Sequence, residues 1–364
     1  MPYFGPRFGN PSSVHRWGRE ARVALDDARA RLAACLGARP DEITFTSCGT
    51  EGDNLAILGA WQAAAGTGRR VVVTSPIEHK AVLAAVHAAA AQGAEERIVP
   101  VNAGGWIALS DFEAALGDDV AVCSIMWVNN EIGTIQPIPE LARLAAARHV
   151  VFHTDAVQAF GKVPIDASSQ PFDLLTISGH KIGAPKGIGA LYARRGTSLA
   201  PLLHGGSQER GRRAGTENVA LAVGFAKAAE LTVAERESEC ARLRQLRDAL
   251  ETQLLARIPD AVINGHASLR AAHVLNISVR GTDSESLLMA LDLAGVACSS
   301  GSACQSGSIT PSHVLSALGV DPELANSAIR MSLGALTTAE DMDHVAQVFP
   351  ALVAKARGAS AVAT

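Results

Sequence analysis

Four runs of apolar residues constrain the fold of this chain more than any other feature. They are VAVCSIMWV from Val120, VVFHTDA from Val150, DLLTISG from Asp173 and IGALYAR from Ile188. A strand that is covered on both faces is apolar almost throughout, whereas a half-exposed strand alternates apolar and polar residues. The four runs therefore predict buried strands of one large, mostly parallel sheet.

Helical patterns alternate with the strands, which is typical of an α/β fold. A helix is predicted from Val14 to Leu36, with Val14 and Trp17 on its apolar face and Gly37 as its C-cap. A proline-free stretch, Asn218–Ile258, predicts one long helix or two in tandem. Thr337 and Glu340 are expected to open the last helix as a capping box.

The length of 364 residues favours two domains. We expect a large domain over residues 1–235 and a smaller α/β domain over residues 236–364. A membrane-spanning run of roughly 20 apolar residues is absent, the first residues do not resemble a secretory signal, and basic residues are scattered at a net charge of −4. The sequence therefore predicts a cytoplasmic protein that binds neither membranes nor nucleic acid.

The segment SGHKIGAPKGIGALY places Lys181 directly after a buried strand, in a glycine-rich turn at the edge of the sheet. Ligands bind at such edges. Small and apolar neighbours would desolvate the amine, lower its pKa and allow it to form a Schiff base. A single lysine in a loop is more often simply exposed to solvent, so the neighbouring segments decide between the two interpretations.

Three further side chains would suit an aromatic cofactor ring. Asp155 ends a buried strand, and a buried carboxylate needs a cation such as a pyridinium nitrogen; the alternative is that Asp155 caps a turn beginning at Ala156. Gln158 could donate to the phenolate oxygen of the same ring. His79 follows a strand and could lie flat on the ring, although an ordinary core or surface histidine is an equally good interpretation.

A phosphate site is predicted where TFTSCGTEGDNLAIL passes from a strand into a helix. The backbone N–H groups of Gly49 and Thr50 would lie at the helix N-terminus, which attracts anions. Ser178 and His180 could add donors beside the lysine, and Thr216 could complete the site from elsewhere. Short Gly/Thr turns are common, so this segment alone is weak evidence.

The segment ACSSGSACQSGSITPSHVL holds Cys304 among serines and glycines that cannot join a hydrophobic core. We expect this thiol to be exposed and able to reach a ligand as a nucleophile. Cys298 is expected to be buried. The six cysteines lack CxxC pairs, which predicts reduced thiols and no resident metal site; Cys304 could act as a transient iron–sulfur ligand.

Several segments together resemble cysteine desulfurases of the NifS and IscS type, a group of class V aminotransferase-like pyridoxal phosphate enzymes. The match runs nearly end to end. The segments are FGNPSS around Asn10, TSCGTEGDNLAI from Thr46, EHKAVL from Glu78, VNNEIGTIQPI from Val128, HTDAVQAFGK from His153, SGHKIGAPKGIGALY from Ser178, HGGSQERGRRAGTEN from His204, SSGSACQSGS from Ser299 and AIRMSLG from Ala328.

The resemblance implies a fold type I pyridoxal phosphate enzyme, with a seven-stranded, mostly parallel sheet and a smaller C-terminal α/β domain. It also implies a role for each site residue. Lys181 would carry pyridoxal 5'-phosphate as a Schiff base. Asp155, Gln158 and His79 would contact the ring, and Gly49, Thr50, Ser178, His180 and a partner subunit's Thr216 would hold the phosphate.

The resemblance further implies the reaction. Asn130 would lie near substrate and cofactor, and Arg330 would bind the substrate carboxylate through its guanidinium fork. Lys181 or His79 would take the Cα proton, and Cys304 would remove sulfur from L-cysteine as a persulfide and leave L-alanine. The implied partners are a second copy of the chain and a sulfur-acceptor or iron–sulfur scaffold protein. Selenocysteine lyase, or another class V lyase or aminotransferase, is the alternative.

Overall fold

The computed structural model describes residues 2–301 and 311–362, with side chains to residue 358 in the last helix. The predicted nucleophile Cys304 lies outside the described residues. The chain forms two compact units. The large unit comprises Met1–Pro100, Leu109–Trp127 and Pro137–Arg236, and the small unit comprises Val101–Ala108, Val128–Gln136 and Glu237–Thr364. The proposed domain boundary at residue 235 stays a prediction.

A seven-stranded sheet forms the centre of the large unit, in the order β1-β7-β6-β5-β4-β2-β3. β7 runs antiparallel to β1 and β6, and the remaining neighbours are parallel. This confirms the predicted α/β fold with a mostly parallel sheet. The strands are β1 (Ile43–Thr46), β2 (Val71–Thr74), β3 (Glu95–Ile98), β4 (Val120–Ser124), β5 (Val151–Asp155), β6 (Leu174–Ser178) and β7 (Gly189–Ala193).

The predicted apolar runs are buried strands, since every residue of β4, β6 and β7 is buried. Val82, Val86 and Leu55, from helices, pack against Val122 and Leu191 of the sheet in one hydrophobic cluster. The helices of this unit are α1 (Arg16–Cys35), α2 (Gly49–Ala63), α3 (Lys80–Ala90), α4 (Leu109–Ala115), α5 (Ile138–Ala147) and the first part of α6 (Val219–Arg257).

The start of α1 differs from the prediction. His15 is its N-cap and accepts a hydrogen bond from the backbone N–H of Gly18, at 3.1 Å. Val14 therefore precedes the helix and is 89% exposed, and Trp17 is 51% exposed, so neither belongs to the apolar face. At the other end Gly37 has the left-handed backbone that a C-cap glycine supplies, with φ of 64°.

The small unit is built on a three-stranded antiparallel sheet whose central strand is β9 (Val274–Val279). The proline-free stretch is one helix, α6. The capping box of the last helix lies one residue later than predicted: Thr338 N–H donates to Asp341, and Asp341 N–H donates to the Thr338 hydroxyl. The further elements are β8 (Ala261–Ile263), β9 (Val274–Val279), α7 (Ser284–Leu293), α8 (His313–Ala317), α9 (Pro322–Asn326), β10 (Ile329–Ser332) and α10 (Ala339–Val362).

Among the described residues, no helix is both long enough and apolar enough to cross a membrane.

Candidate functional site

The predicted ring and phosphate residues of the large unit follow strands that end at one edge of its sheet. β2, β5 and β6 are linked through parallel pairs, and β1 has the same direction because β7 is antiparallel to both β1 and β6. The carboxyl ends of strands with one direction meet at the same edge, where α/β folds bind ligands. This topology brings Gly49, His79, Asp155 and Ser178 to a common edge.

Asp155 and His79 are neighbours in space, as the ring-site prediction requires. One side-chain atom from each, together with one from Asp53, lie within 4.8 Å of one another. Asp155 is buried and its Oδ1 accepts a hydrogen bond from the backbone N–H of Val157, at 2.9 Å. The structure therefore confirms that Asp155 caps the following turn, and this hydrogen bond uses only its Oδ1.

The groups around Asp155 partly oppose the protonation that burial favours. Burial raises the pKa of Asp155, whereas the Val157 N–H, His79 and Lys181 oppose this rise. A cationic ring nitrogen at this position would find a buried carboxylate that accepts one backbone hydrogen bond and lies near His79 and Lys181.

His79 is the N-cap of α3, a role that its sequence context did not indicate. Its Nδ1 accepts a hydrogen bond from the backbone N–H of Ala81, at 3.1 Å, so the neutral ring carries its proton on Nε2. The preceding Glu78 is fully buried and accepts hydrogen bonds from Ser75 Oγ and Met126 N–H. Burial raises the pKa of Glu78 to about 8. The hydrogen bonds of His79 and Glu78 fix the turn that presents the half-buried His79 ring.

Gly49 allows the N-terminus of α2 to approach the ends of β5 and β6. A β-carbon at this position would lie 2.9 Å from Val157 Cγ2 and 3.5 Å from Ser178 Cβ. The distance to Val157 is shorter than real β-carbons adopt. The N-cap Cys48 makes no side-chain capping bond to α2. The first N–H groups of a 15-residue helix therefore point to the edge beside Ser178, as an anion site requires.

Ser178 and His180 add polar groups to this edge. Ser178 is buried, and its Oγ lies 2.9 Å from His180 Nδ1. His180 is exposed, and the pKa of its imidazole is lowered by partial burial and by the positive charges of Lys181 and Lys186. A neutral imidazole at this position can still donate one hydrogen bond to a phosphate oxygen.

Lys181 lies in a short 3-10 turn, Gly179–Ile182, that ends at Gly183 with φ of 79°. Its side chain is exposed. The prediction that neighbouring residues desolvate the Lys181 amine is therefore wrong for the single chain, because the small residues around Lys181 do not cover its side chain. Gln158 is half-buried in the turn that follows β5.

Thr216 is exposed in a loop that is anchored beside the α2 N-terminus. Glu51, in the first turn of α2, accepts hydrogen bonds from Ser47 N–H at 2.7 Å and from Arg213 Nε at 2.8 Å. Sequence reasoning missed Glu51 and Arg213 because their pairing spans 162 residues. It also missed Asp53, although an acidic residue on the otherwise apolar face of α2 was a visible signal.

Within the small unit, Arg330 and Asn130 lie together. Arg330 is on β10, and its Nη1 donates to the backbone carbonyl of Asn130, at 3.3 Å. The backbone of Arg330 also bridges to Ser299, near the segment that contains Cys304. Cys298 is half-buried, and burial raises the pKa of its thiol to about 11.

Comparison with known proteins places this arrangement in a family. The IscS cysteine desulfurase of Dictyoglomus turgidum is 46% identical over 98% of this chain and 90% of its own length. The NifS cysteine desulfurase of Azotobacter vinelandii is 46% identical over 99% of this chain and 89% of its own length. A solved NifS-like protein superposes with a TM-score of 0.91 at 34% identity, over 97% of this chain and 94% of that one. Since the sequence pattern of the aminotransferase class-V family also matches residues 1–345, the chain belongs to that family, in the group of IscS- and NifS-type cysteine desulfurases.

Proposed function

We propose that the protein is a pyridoxal phosphate-dependent cysteine desulfurase, which removes sulfur from L-cysteine and leaves L-alanine. The observation that carries the proposal is the grouping of Asp155 and His79 at the sheet edge that also presents Lys181. The positive charge of Lys181 acts on Asp155, so the predicted amine lies within electrostatic range of the predicted ring partner. The alanine and sulfide chemistry comes from the relatives.

The residues at this edge fit the cofactor. Asp155 offers a buried carboxylate to a ring nitrogen, and the α2 N-terminus, which only a glycine at position 49 lets approach Ser178, offers N–H donors to a phosphate. Thr50, Ser178 and His180 add polar groups, Gln158 contacts the ring, and Lys181 forms the covalent attachment. When bound, the cofactor supplies a cationic ring that withdraws electrons from the substrate Cα.

The chain's own residues divide the remaining work. Arg330 pairs with the substrate carboxylate, beside Asn130, whose backbone carbonyl accepts a hydrogen bond from its guanidinium. Lys181 or His79 takes the proton from Cα. The Cys304 thiolate attacks the substrate sulfur; an S–S bond forms as the C–S bond breaks, and the electron pair of that bond stays on the carbon fragment. The resulting persulfide on Cys304 is the form that a sulfur acceptor or iron–sulfur scaffold protein receives.

A homodimer and a cytoplasmic location complete the proposal. Thr216 is exposed at the surface of one chain, as a residue that reaches a second copy's phosphate must be. Cys304 could serve as a transient iron–sulfur ligand during transfer.

The test is to add L-cysteine to the purified protein with a reductant and to measure alanine and sulfide together. Equal amounts of both are expected. Lys181→Ala should lack the cofactor's visible absorbance. Cys304→Ala should bind the cofactor but release sulfide far more slowly than the wild type. Cys35→Ala is the matched control, because this half-buried thiol is in the last turn of α1, a helix that carries none of the proposed site residues. Normal sulfide release by Cys304→Ala would refute the persulfide role, and a preference for selenocysteine would favour the lyase.

A further inference from the structure

Glu131 is a buried acidic residue of the small unit that the proposed function leaves without a role. It follows Asn130 in the sequence, and it is 1% exposed. Its Oε2 accepts a hydrogen bond from Ser312 Oγ, at 2.5 Å, although 181 positions separate the two residues. A buried carboxylate is costly unless it is hydrogen-bonded. The contact with Ser312 therefore stabilises the Glu131 side chain in its buried position.

The hydroxyl of Ser312 has one proton, and its other hydrogen bonds fix where that proton goes. Ser312 is the N-cap of α8, and its Oγ accepts the backbone N–H groups of Val314, at 3.1 Å, and Leu315, at 3.3 Å. A hydroxyl has two acceptor lone pairs and one donor. Because α8 uses the lone pairs, the proton is donated to Glu131, whose Oε2 must be an acceptor.

Gly301 lies against the same oxygen of Glu131. A β-carbon at Gly301 would be 3.0 Å from Glu131 Oε2 and 3.5 Å from Ser312 Cβ, and Gly301 has φ of 104°. Gly301 and Ser312 therefore meet at Glu131, although residues 302–311 separate them in the sequence. Cys304 is one of those residues. Glu131 thus contacts the residues that flank the predicted nucleophile on both sides.

The proposed substrate-binding groups are tied to the same contacts. Arg330 Nη1 donates to the backbone carbonyl of Asn130, next to Glu131, at 3.3 Å. The backbone of Arg330 pairs with Ser299 in both directions, at 3.2 and 2.6 Å. Ser299 Oγ in turn donates to the carbonyl of Gly301, at 3.3 Å. Arg330 is therefore linked to Gly301 through Ser299, and to Glu131 through Asn130.

We propose that Glu131 is a positioning residue for sulfur transfer, because its side chain holds Gly301 and Ser312 in a fixed place relative to Arg330. The inference deepens the proposed function and rests on it, since Arg330 would bind the substrate carboxylate and Cys304 would attack the substrate sulfur. That attack needs two aligned sulfur atoms, and a misplacement of about 1 Å can cost on the order of 100-fold in rate. Glu131 acts through its two neighbours and not on the substrate.

The backbone of Glu131 is held independently of its side chain. Asn129 Oδ1 accepts the Glu131 N–H, at 2.8 Å, and Asn276 Nδ2 donates to the Glu131 carbonyl, at 3.1 Å. Glu131→Ala keeps both hydrogen bonds, so the adjacent Asn130 carbonyl should still accept from Arg330. Removal of the side chain therefore separates the positioning of the nucleophile from the binding of the substrate carboxylate.

The experiment compares two reactions of the cofactor-loaded full chain. Sulfide release from L-cysteine needs Cys304, whereas exchange of the Cα proton of L-alanine in heavy water, followed by proton NMR, needs the cofactor site but no attack on sulfur. Glu131→Ala is expected to lower kcat for sulfide release by about 100-fold. The KM for L-cysteine and the alanine exchange should stay near their wild-type values. Glu131→Gln keeps an acceptor oxygen for Ser312 and is expected to restore most of the rate.

Two serine variants complete the comparison. Ser312→Ala removes the donor and should slow sulfide release in the same way, and its combination with Glu131→Ala should add little, because both changes remove one contact. Ser327→Ala is the matched control. Ser327 is a buried serine of the small unit whose hydroxyl accepts the Val279 N–H and donates to the Leu324 carbonyl, so its loss should change neither reaction.

Sulfide release by Glu131→Ala at the rate of Ser327→Ala would overturn the inference. An equal loss of sulfide release and alanine exchange would also overturn it, because the defect would then lie in the cofactor site. If Glu131→Ala does not fold, Ser312→Ala decides by the same two measurements. A wild-type chain that releases no sulfide refutes the proposed function and the inference with it, whereas an active wild type with an unaffected Glu131→Ala refutes the inference alone.

Discussion

Replacing Glu209 by alanine should destabilise the large unit strongly. Arg29 and Glu209 form a buried two-point ion pair, with Arg29 Nη1 to Glu209 Oε2 at 2.6 Å and Nη2 to Oε1 at 2.7 Å. Their side chains are 4% and 2% exposed. Glu209 Oε2 also accepts the backbone N–H of Phe45 on β1, at 3.0 Å. The pair therefore ties the loop that carries Thr216 to α1 and the sheet.

The expected cost follows from what Glu209→Ala leaves behind. Arg29 would remain buried, donating to the Ile43 carbonyl but without a counter-charge. Breaking a buried pair in this way costs roughly 3–5 kcal/mol. No strain is relieved in return, because alanine keeps a β-carbon at a position where φ is 47°, in the left-handed region. Urea unfolding should therefore move to clearly lower concentration.

The assay is urea unfolding of the cofactor-free chain, followed by circular dichroism. The matched control is Glu20→Ala, because Glu20 pairs with Arg16 at the surface, where the side chains are 40% and 78% exposed. Exposed pairs contribute about 0.5 kcal/mol or less. A double variant, Arg29→Met with Glu209→Leu, should regain much of the loss by removing both charges. Equal midpoints for Glu209→Ala and Glu20→Ala would show that the buried pair does not anchor the loop.

Three other predictions concern titration. The pKa of Glu78 is about 8 in the folded chain and near 4.5 when unfolded, so stability is lost as pH rises between these values. Relative to wild type, Glu78→Gln should therefore gain more stability at pH 8 than at pH 5. An equal increase of the urea unfolding midpoint at both pH values would contradict this. The pKa of His153 is about 3 folded and 6.5 unfolded, so stability falls below pH 6.5 by up to about 1.4 kcal/mol per pH unit, and His153→Gln should flatten that loss in acid titrations. Burial raises the pKa of Cys298 to about 11 and that of Cys123 further; iodoacetamide at pH 8 should therefore modify Cys304 before either of these two thiols, and mass spectrometry that finds Cys123 modified earlier would refute the expected reactivity of Cys304.

Residues at strand ends were the most predictable part of the site. Asp155 and Ser178 each end a run whose apolar composition identifies a buried strand, and strands of one direction place their ends together. Gly49 was predictable because a strand-to-helix passage through small residues has few structural solutions. The seven-stranded, mostly parallel sheet follows from the same signal together with the family resemblance.

Side-chain environments were less predictable, because they depend on residues far away in sequence. Lys181 was expected to be desolvated and is exposed, since small neighbours do not cover a long side chain. His79 caps a helix through Nδ1, although histidine is not among the usual capping residues. Arg29 and Glu209 are 180 residues apart, and no local pattern links them. The predicted start of α1 is wrong because a local pattern was misleading: Val14 and Trp17 continue the helical period of apolar residues, yet both side chains are exposed.

The buried acids of the large unit show which carboxylate is available for chemistry. Both carboxylate oxygens of Glu209 accept hydrogen bonds from the Arg29 guanidinium, so its negative charge is already paired. Glu78 is stabilised by keeping a proton near neutral pH, because its partners are a hydroxyl and a backbone N–H. Among the described residues, Asp155 has no direct guanidinium contact, and it is less isolated than Glu78 because His79 and Lys181 act on it from nearby. A buried anion with incomplete compensation binds an added cation more strongly than a paired or protonated acid does, and this property supports the proposed role of Asp155 as the partner of a cationic ring.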